Sequence, residues 1–202
     1  MPGSLFIVAA PSGAGKTTLV RGLLARDSAV QLSVSFTTRA PREGEVNGVA
    51  YHFTTLEDFH ARRGRGEFLE SAEVHGNFYA TSRLWLQEQM RAGRDVLLEI
   101  DWQGAAQVRK IFPQTVSIFV LPPSLEALES RLHGRGTDSA EVIARRLAAA
   151  HDEIRQVDQF DYAIINNDLQ VALDELCSIV RAARLRTPLV RQRNPEIFPS
   201  AA

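Results

Sequence analysis

Apolar residues along this chain fall into two periods. Short runs without polar alternation recur at Leu5–Ala9, Val96–Ile100, Val116–Leu121 and Tyr162–Ile165. Such runs suit strands covered on both faces. Between and after them the apolar positions take helical spacing, at Leu19–Ala25, Leu84–Arg91, Leu125–Leu132, Val142–Val157 and Val171–Leu185. Strands alternating with amphipathic helices predict an α/β fold of three layers, α/β/α, around a mainly parallel sheet. Ligands then bind at the carboxyl ends of the strands.

The pattern breaks twice. Between Ser35 and Thr81 it becomes short alternating runs of Thr, Arg, Gly and aromatic residues, such as Tyr51-His52-Phe53 and Phe68-Leu69-Glu70. This predicts a small mixed, mostly β insertion. The second break, His133-Gly134-Arg135-Gly136-Thr137, is basic and glycine-flanked and precedes a long helix. After Arg186, Pro188, Pro195 and Pro199 predict a tail that wraps or frays. The resulting division is a core at 1–34, 83–124 and 156–202 (with the tail), the small insertion at 35–82 and a helical lid region at 125–155.

Composition adds boundaries to this picture. A length of 202 residues suits one compact unit with insertions, and a net charge of −1 points to neither nucleic acid nor membrane as a partner. Cys177 is the only cysteine, so a reducing compartment fits and no intrachain disulfide can form. Its helical spacing with Leu173 and Val180 reads as core. The first apolar run is too short for a signal or membrane span. The expectation is a soluble cytoplasmic protein, with no signal for a particular oligomeric state.

The chemistry starts where the first strand ends. Ala10-Pro11-Ser12-Gly13-Ala14-Gly15-Lys16-Thr17-Thr18 joins that strand to a helix, the context a phosphate-binding P-loop requires. Unpaired N–H groups at the helix start bind phosphate oxygens. Gly13 and Gly15 allow angles that a Cβ would block. Lys16 reaches the β- and γ-phosphates, and the Thr17 hydroxyl is placed to ligate Mg²⁺. Ala10 stands where the full pattern has Gly. Pro11 pushes it to extended angles, which alanine tolerates. A nucleoside triphosphate is the expected ligand.

A second substrate is suggested by the insertion. Arg39 and Arg42 lie in a proline-bearing loop, and arginine forks bind phosphate oxygens bidentately. Tyr51 and Tyr79 add phenolic donors. A solvated basic loop is the competing reading. Glu70, between apolar neighbours, is by default a salt-bridge partner or exposed. A carboxylate also matches guanine, whose N1–H and N2–H₂ are adjacent donors. Hydroxyls at Ser35 and Thr81 could satisfy the O6 acceptor.

With these motifs in place the chain resembles the bacterial-type guanylate kinases, from about Leu5 to Arg186. The resemblance rests on the P-loop, on Ser33-Val34-Ser35-Phe36-Thr37-Thr38-Arg39-Ala40-Pro41-Arg42, on Gly44-Glu45-Val46-Asn47-Gly48 and on Phe68-Leu69-Glu70. It continues through Gly76-Asn77-Phe78-Tyr79, Ile100-Asp101-Trp102-Gln103-Gly104 and Gly134-Arg135-Gly136. It implies the reaction ATP + GMP ⇌ ADP + GDP with Mg²⁺, and a core, a GMP-binding domain and a lid. It also implies that Arg39, Arg42, Tyr51 and Tyr79 hold the GMP phosphate, while Ser35, Glu70 and Thr81 read the base with Asp101 close by. Asn166 falls near the expected adenine pocket. Two positions depart from the pattern: Ala80 stands where Gly usually follows the tyrosine, and Asn167 where Asp is common.

A phosphate monoester is largely dianionic near neutral pH, so its attacking oxygen needs no general base. Catalysis then reduces to positioning and charge neutralisation. The five histidines show no metal-ligand spacing. The neutralisers are Lys16, Mg²⁺, Arg39, and lid arginines among Arg131, Arg135 and one of Arg145 and Arg146. On the helix whose apolar stripe is Ile143, Leu147, Ala150, Ile154 and Val157, Arg146 borders the stripe and Arg145 lies on the far side. Arg146 is therefore the expected catalytic residue. Glu141 would pair Arg145 at the surface, and Asp138 with Glu141 resembles a capping box. Glu99 and Asp101, at the end of a strand beside the P-loop, are candidate organisers of Mg²⁺, with Asp101 favoured.

Two other readings share the P-loop. A sugar-phosphate kinase of related fold would not require Glu70 or the arginine lid. A peptide-binding module lacking catalysis would typically have lost the P-loop lysine and lid arginines, yet Lys16, Thr17, Arg135 and Arg146 are all present.

Overall fold

The computed structural model describes residues 3–134 and 140–198. Arg135, Gly136 and Asp138 lie outside the described residues. At the centre stand five parallel strands in the order β2-β7-β1-β8-β9. These are β1 (Leu5–Ala9), β2 (Val30–Ser33), β7 (Asp95–Glu99), β8 (Val116–Leu121) and β9 (Tyr162–Ile165). Alternation splits their side chains between two helix layers. Phe6, Val8, Leu97 and Ile118 pack with α1 (Lys16–Arg26) and α7 (Leu169–Arg184). Leu5, Ile7, Val96 and Leu98 pack with α3 (Arg83–Arg91) and α4 (Trp102–Ile111). The central strand β1 is buried along its whole length. This is the expected three-layer fold, and Cys177 lies in its core.

A second sheet of mixed sense, ordered β4-β3-β6-β5, forms within the insertion. It contains β3 (Phe36–Thr37), β4 (His52–Phe53), β5 (Phe68–Val74) and β6 (Asn77–Ser82). A tight turn at His75-Gly76, with φ of 50° and 78°, joins β5 to β6. This sheet carries a helix the periodicity did not predict, α2 (Leu56–Gly64). Phe59 is its single buried residue, so no apolar stripe announces it. Its start is fixed instead by Thr55, whose side chain accepts the Asp58 N–H at 3.1 Å.

Helices α5 (Leu125–His133) and α6 (Ala140–Ile154) form a small core of their own from Leu128, Leu132, Ile143 and Ala150, with Leu147 against it. The long helix stops at Ile154, short of the expected Val157, and a 3₁₀ turn follows at Val157–Gln159. In the tail, α8 (Thr187–Arg193) begins with Pro188, whose missing N–H is no loss in a first turn. No helix among the described residues is long and apolar enough to cross a membrane.

The end of α7 is fastened to the sheet by charge. Arg184 donates through Nε to Asp95 at 2.6 Å and through Nη1 to Asp27 at 2.6 Å. The other oxygen of Asp95 accepts the Ser4 N–H at 2.7 Å. Removing the cation leaves the nearly buried Asp95 carboxylate with the Ser4 N–H and with Arg193 at 4.0 Å, and strips Oδ2 of its short charged partner, an effect on the order of 3 kcal/mol. Arg184→Ala is therefore expected to lower stability by about 3 kcal/mol in urea denaturation. A loss below about 0.5 kcal/mol, the range of an ordinary surface substitution, would show that the pair carries no weight.

Candidate active site

The loop leaving β1 passes through the left-handed region twice, at Gly13 (φ 95°) and Gly15 (φ 96°). A Cβ on Gly13 would stand 2.9 Å from Leu128 of α5, and one on Gly15 would strike the amide of Asn166. Both glycines are required by backbone angle and by space together. The only positive-φ residue other than glycine, among the described residues, is His75. Ala10 thus adopts angles open to alanine.

Behind the loop, the Asn166 side chain donates to the Ala14 carbonyl at 2.7 Å. Arg131 donates to the Asn166 carbonyl at 2.9 Å and to the Ala14 carbonyl at 3.5 Å. Both residues buttress the P-loop from behind. Arg131, expected from the sequence as a charge neutraliser, and Asn166, expected to bind ATP, are thus both bonded to the P-loop backbone or to each other.

At the start of α1, Lys16 donates through Nζ to the Ile100 carbonyl at 3.2 Å, and the Thr17 hydroxyl bonds the Glu99 carboxylate. Strand parity explains the second contact. Leu97 packs on the α1 side of the sheet, so Glu99, two residues on, faces the same way. The chain leaves β7 at Glu99, and Asp101 follows a different geometry. Its Oδ1 accepts the Gly104 N–H at 3.0 Å as the N-cap of α4, and its Oδ2 accepts from Gln103 at 3.1 Å. Both acids line the cleft, but Glu99 is the one against Thr17.

That cleft, of about 470 Å³, runs from the P-loop to the second sheet. At its far end Glu70 is only 4% exposed. The Thr81 hydroxyl, fully buried, donates to Glu70 Oε1 at 2.7 Å. Gly104 closes the other side: a Cβ there would stand 2.6 Å from Glu70 Oε2. Ser35, itself buried, lines the same space. Burial pushes the Glu70 carboxyl from its ordinary 4.5 up to about 7, with the Thr81 bond opposing and Asp101 adding to the rise.

Between these ends lie Arg39, Arg42, Tyr51 and Tyr79. Arg39 donates through Nη2 to both oxygens of Glu45, at 2.8 and 3.0 Å, and its guanidinium stands 5.2 Å from the centre of the Tyr51 ring. Glu45 also accepts the Arg42 N–H at 2.8 Å. Burial alone would raise the Glu45 carboxyl, but Arg39 and the Arg42 N–H hold it below its ordinary value. On α6, Arg146 lines the cleft and Arg145 is exposed.

A deep cleft with a P-loop at one end and a buried carboxylate at the other is the setting in which relatives become informative. The sequence profile described as guanylate kinase matches residues 3–183. The chain is 63% identical over 198 residues to the guanylate kinase of Aromatoleum aromaticum, covering 98% of this chain and 97% of the relative. It is 61% identical, over 98% of each chain, to that of Dechloromonas aromatica. The crystal structure of guanylate kinase from Anaplasma phagocytophilum superimposes with a TM-score of 0.79 at 33% identity, covering 99% of this chain and 97% of that one. The chain belongs to the guanylate kinase family.

Within a guanylate kinase, the departures expected to matter find room. Ala80 is fully buried in the small aromatic core with Phe59 and Phe68, so its methyl adds contact on the side away from the cleft. Asn167 is exposed. The sequence reading passed over Glu45, Gly104 and Glu153 as cleft residues. Glu153 had a signal: it follows Arg146 by seven residues, two helical turns, and so shares its face.

The Glu70 shift has a definite sign in stability. The folded chain holds this proton more tightly than the unfolded one, so unfolding releases it between about 4.5 and about 7. Stability supplied by the neutral carboxyl is present below 4.5 and lost as the pH rises through about 7. Glu70→Gln, neutral throughout, should therefore gain melting temperature relative to the unliganded wild type as pH rises from 5 to ~8. A difference that stays flat across this range would contradict the assignment.

Proposed function

We propose that this chain is a guanylate kinase that transfers the γ-phosphoryl group of ATP reversibly to GMP, and to dGMP, giving ADP and GDP for purine nucleotide metabolism and GMP recycling. The observation that carries the reading is the buried Glu70 carboxylate at the end of a cleft whose other end is a P-loop. Guanine N1–H and N2–H₂ are adjacent donors that a carboxylate accepts together, and adenine has no such pair. Two donors on the carboxylate favour its charged form, so base binding opposes the effect of burial. Thr81 keeps the oxygen it already holds, and Ser35 supplies a hydroxyl for O6.

Each further role follows from position. The N–H groups of Ser12–Thr18 receive the ATP phosphates, and Lys16 leaves the Ile100 carbonyl for the β- and γ-oxygens. Arg39, Arg42, Tyr51 and Tyr79 receive the GMP phosphate, whose oxygen attacks the γ-phosphorus without a base. Arg146 neutralises charge on the transferring group. Arg135 takes a similar part by family resemblance. Arg131 adds to the charge neutralisation and Asn166 binds on the ATP side, and both also hold the P-loop through the Asn166 and Ala14 carbonyls.

Hard oxygens at Thr17 and Glu99, with Asp101 nearby, are the donor set Mg²⁺ prefers. Three or more His, Cys, Asp or Glu residues placed as a dedicated metal cage are absent among the described residues. That suits an ion held largely by substrate phosphates and water. Thr17 and Glu99, with Asp101, would hold Mg²⁺, which would supply charge neutralisation for the β- and γ-phosphates. Glu99 is favoured over Asp101 as its nearer partner because Asp101 already caps α4.

The units are read as a core at 1–34, 83–124 and 156–202, a GMP-binding domain at 35–82 and a lid region at 125–155. Two separate sheets and a separate α5–α6 core support this division. A single buried thiol suits a cytoplasmic setting.

The test is ADP release with Mg²⁺·ATP and GMP, dGMP, AMP, CMP or UMP as acceptor. Turnover confined to GMP and dGMP is expected, with GMP turnover reduced at least about tenfold by Glu70→Gln, the loss of one charged hydrogen-bond partner. Preference for another acceptor would move the function to a different kinase. On α6, Arg146→Ala should lower kcat by at least about a hundredfold, since arginines at transferring phosphoryl groups contribute roughly 10³–10⁵. Arg145→Ala should stay within about twofold of wild type. Equal effects of the two would place the catalytic face of α6 elsewhere.

A further inference from the structure

β5 is the outer strand of the second sheet, so one of its edges has no strand beside it. Along that edge lies α4, which packs on the central sheet. Gln107 of α4 meets Ser71 with both ends of its amide. The Ser71 N–H donates to Oε1 at 3.2 Å, and Nε2 donates to the Ser71 carbonyl at 2.9 Å. One turn earlier, Gln103 donates to the Glu73 carbonyl at 3.4 Å. A side-chain amide thus takes the place of a neighbouring strand, matching the donor and acceptor that an edge residue turns outward.

The residue before Ser71 is Glu70, and the ladder is irregular there. Phe68 stands opposite Ser82 and Ser71 opposite Ala80, so Leu69 and Glu70 share the single partner Thr81. This is a β-bulge. In a regular strand Leu69 and Glu70 would face opposite ways. Here Leu69 is buried in one cluster with Ala105 and Val108 of α4, and Glu70 Oε2 lies 2.6 Å from where a Cβ on Gly104 would stand. Phe68 and Ala80 stay together in the aromatic core on the other face. The extra residue is what turns the carboxylate toward α4 and the cleft. A bulge is also the weak point of a ladder, since it leaves a residue without a cross-strand partner. Gln107 binds the chain at the first residue after it.

We propose that Gln107 is a positioning residue for base recognition: it pins the bulge of β5 to α4 and so holds Glu70 where its carboxylate meets both donors of guanine. This rests on the reading of Glu70 as the base-binding carboxylate. The Gln107 amide is engaged by Ser71 on both sides, and its Nε2 also reaches the Gln103 carbonyl at 3.4 Å. Its effect on the base therefore passes through Glu70. Side-chain packing of Leu69 fixes the bulge from one side and the Gln107 amide fixes its backbone from the other.

Steady-state kinetics of Gln107→Met, which keeps the length and removes the amide, test this with GMP and IMP as acceptors. IMP has the N1–H of guanine but lacks the N2 amino group, so the ratio of kcat/KM for the two reports how well the carboxylate meets the second donor. The variant should raise KM for GMP about tenfold and reduce the preference for GMP over IMP at least about fivefold, the scale of one imperfectly made hydrogen bond. KM for ATP, and kcat at saturating GMP, should stay within about threefold of wild type. Gln107→Asn, one methylene too short for Ser71 but still polar, should show the same split and serves if the first variant does not fold. An unchanged preference for GMP over IMP, or a KM for ATP that rises in step with that for GMP, would overturn the proposal, because a residue that only packs α4 against β5 predicts those results. A wild type that does not prefer GMP to IMP would overturn the reading of Glu70 itself.

Discussion

Everything in this enzyme depends on the turn by which β1 becomes α1. A buried parallel strand ends, and within a few residues a helix must begin with its first N–H groups pointing into solvent rather than into the core. Only a backbone that passes through the left-handed region at Gly13 and Gly15 achieves this. The turn is held from behind by neutral and cationic donors, with Asn166 and Arg131 on the Ala14 carbonyl. The Ala14 carbonyl is thus satisfied at the rear, while the N–H groups of the first helical turn have no partner within the helix. The front surface is electropositive before any ligand arrives.

The opposite end of the cleft obeys the reverse constraint. There a carboxylate is taken out of water with one hydroxyl to hold it and a glycine to make room. Burial without full pairing raises its pKa. Such a group discriminates strongly, because a ligand lacking the right donors leaves it unsatisfied. Gly104 serves this discrimination from α4, whose N-cap is Asp101. Asp101 thus fixes the helix that bounds the base pocket while it lines the same cleft.

Legibility in the sequence followed the strength of the local physical signal. Four of the five central strands announce themselves as unbroken apolar runs, and the P-loop carries its own punctuation. The fifth, Val30–Ser33, is a half-exposed edge strand of four residues, two of them polar, and its pattern is too short to register. α2 went unseen because one phenylalanine carries its packing. At the site, the face of α6 that carries Arg146 could be read from helical angle alone, while the contact of Thr17 with Glu99 rather than Asp101 depended on where β7 ends. That boundary is set by Asp101 capping α4 through the Gly104 N–H three residues on, a local signal that apolar periodicity does not carry. The course of Arg131 to the P-loop is the tertiary case, since only the folded chain brings α5 against the loop after β9.

The P-loop end of the cleft and the arginine-bearing stretch at its middle each carry a carboxylate of the chain itself. Glu45 takes the fork of Arg39, and Glu153 lines the cleft with Ser12 and Lys16. Arginine and lysine clustered without partners would repel one another and strain the loops that carry them. A paired arrangement keeps the unliganded protein ordered. The two partners nevertheless differ in kind. Glu45 lies in the same loop as Arg39 and also accepts the Arg42 N–H, so it can remain while its cations turn to a phosphate. Glu153 lies on α6, a different element from the loop whose cleft it lines. The first carboxylate preorganises a fork from within its own loop, and the second brings a carboxyl to the P-loop end of the cleft from a separate helix.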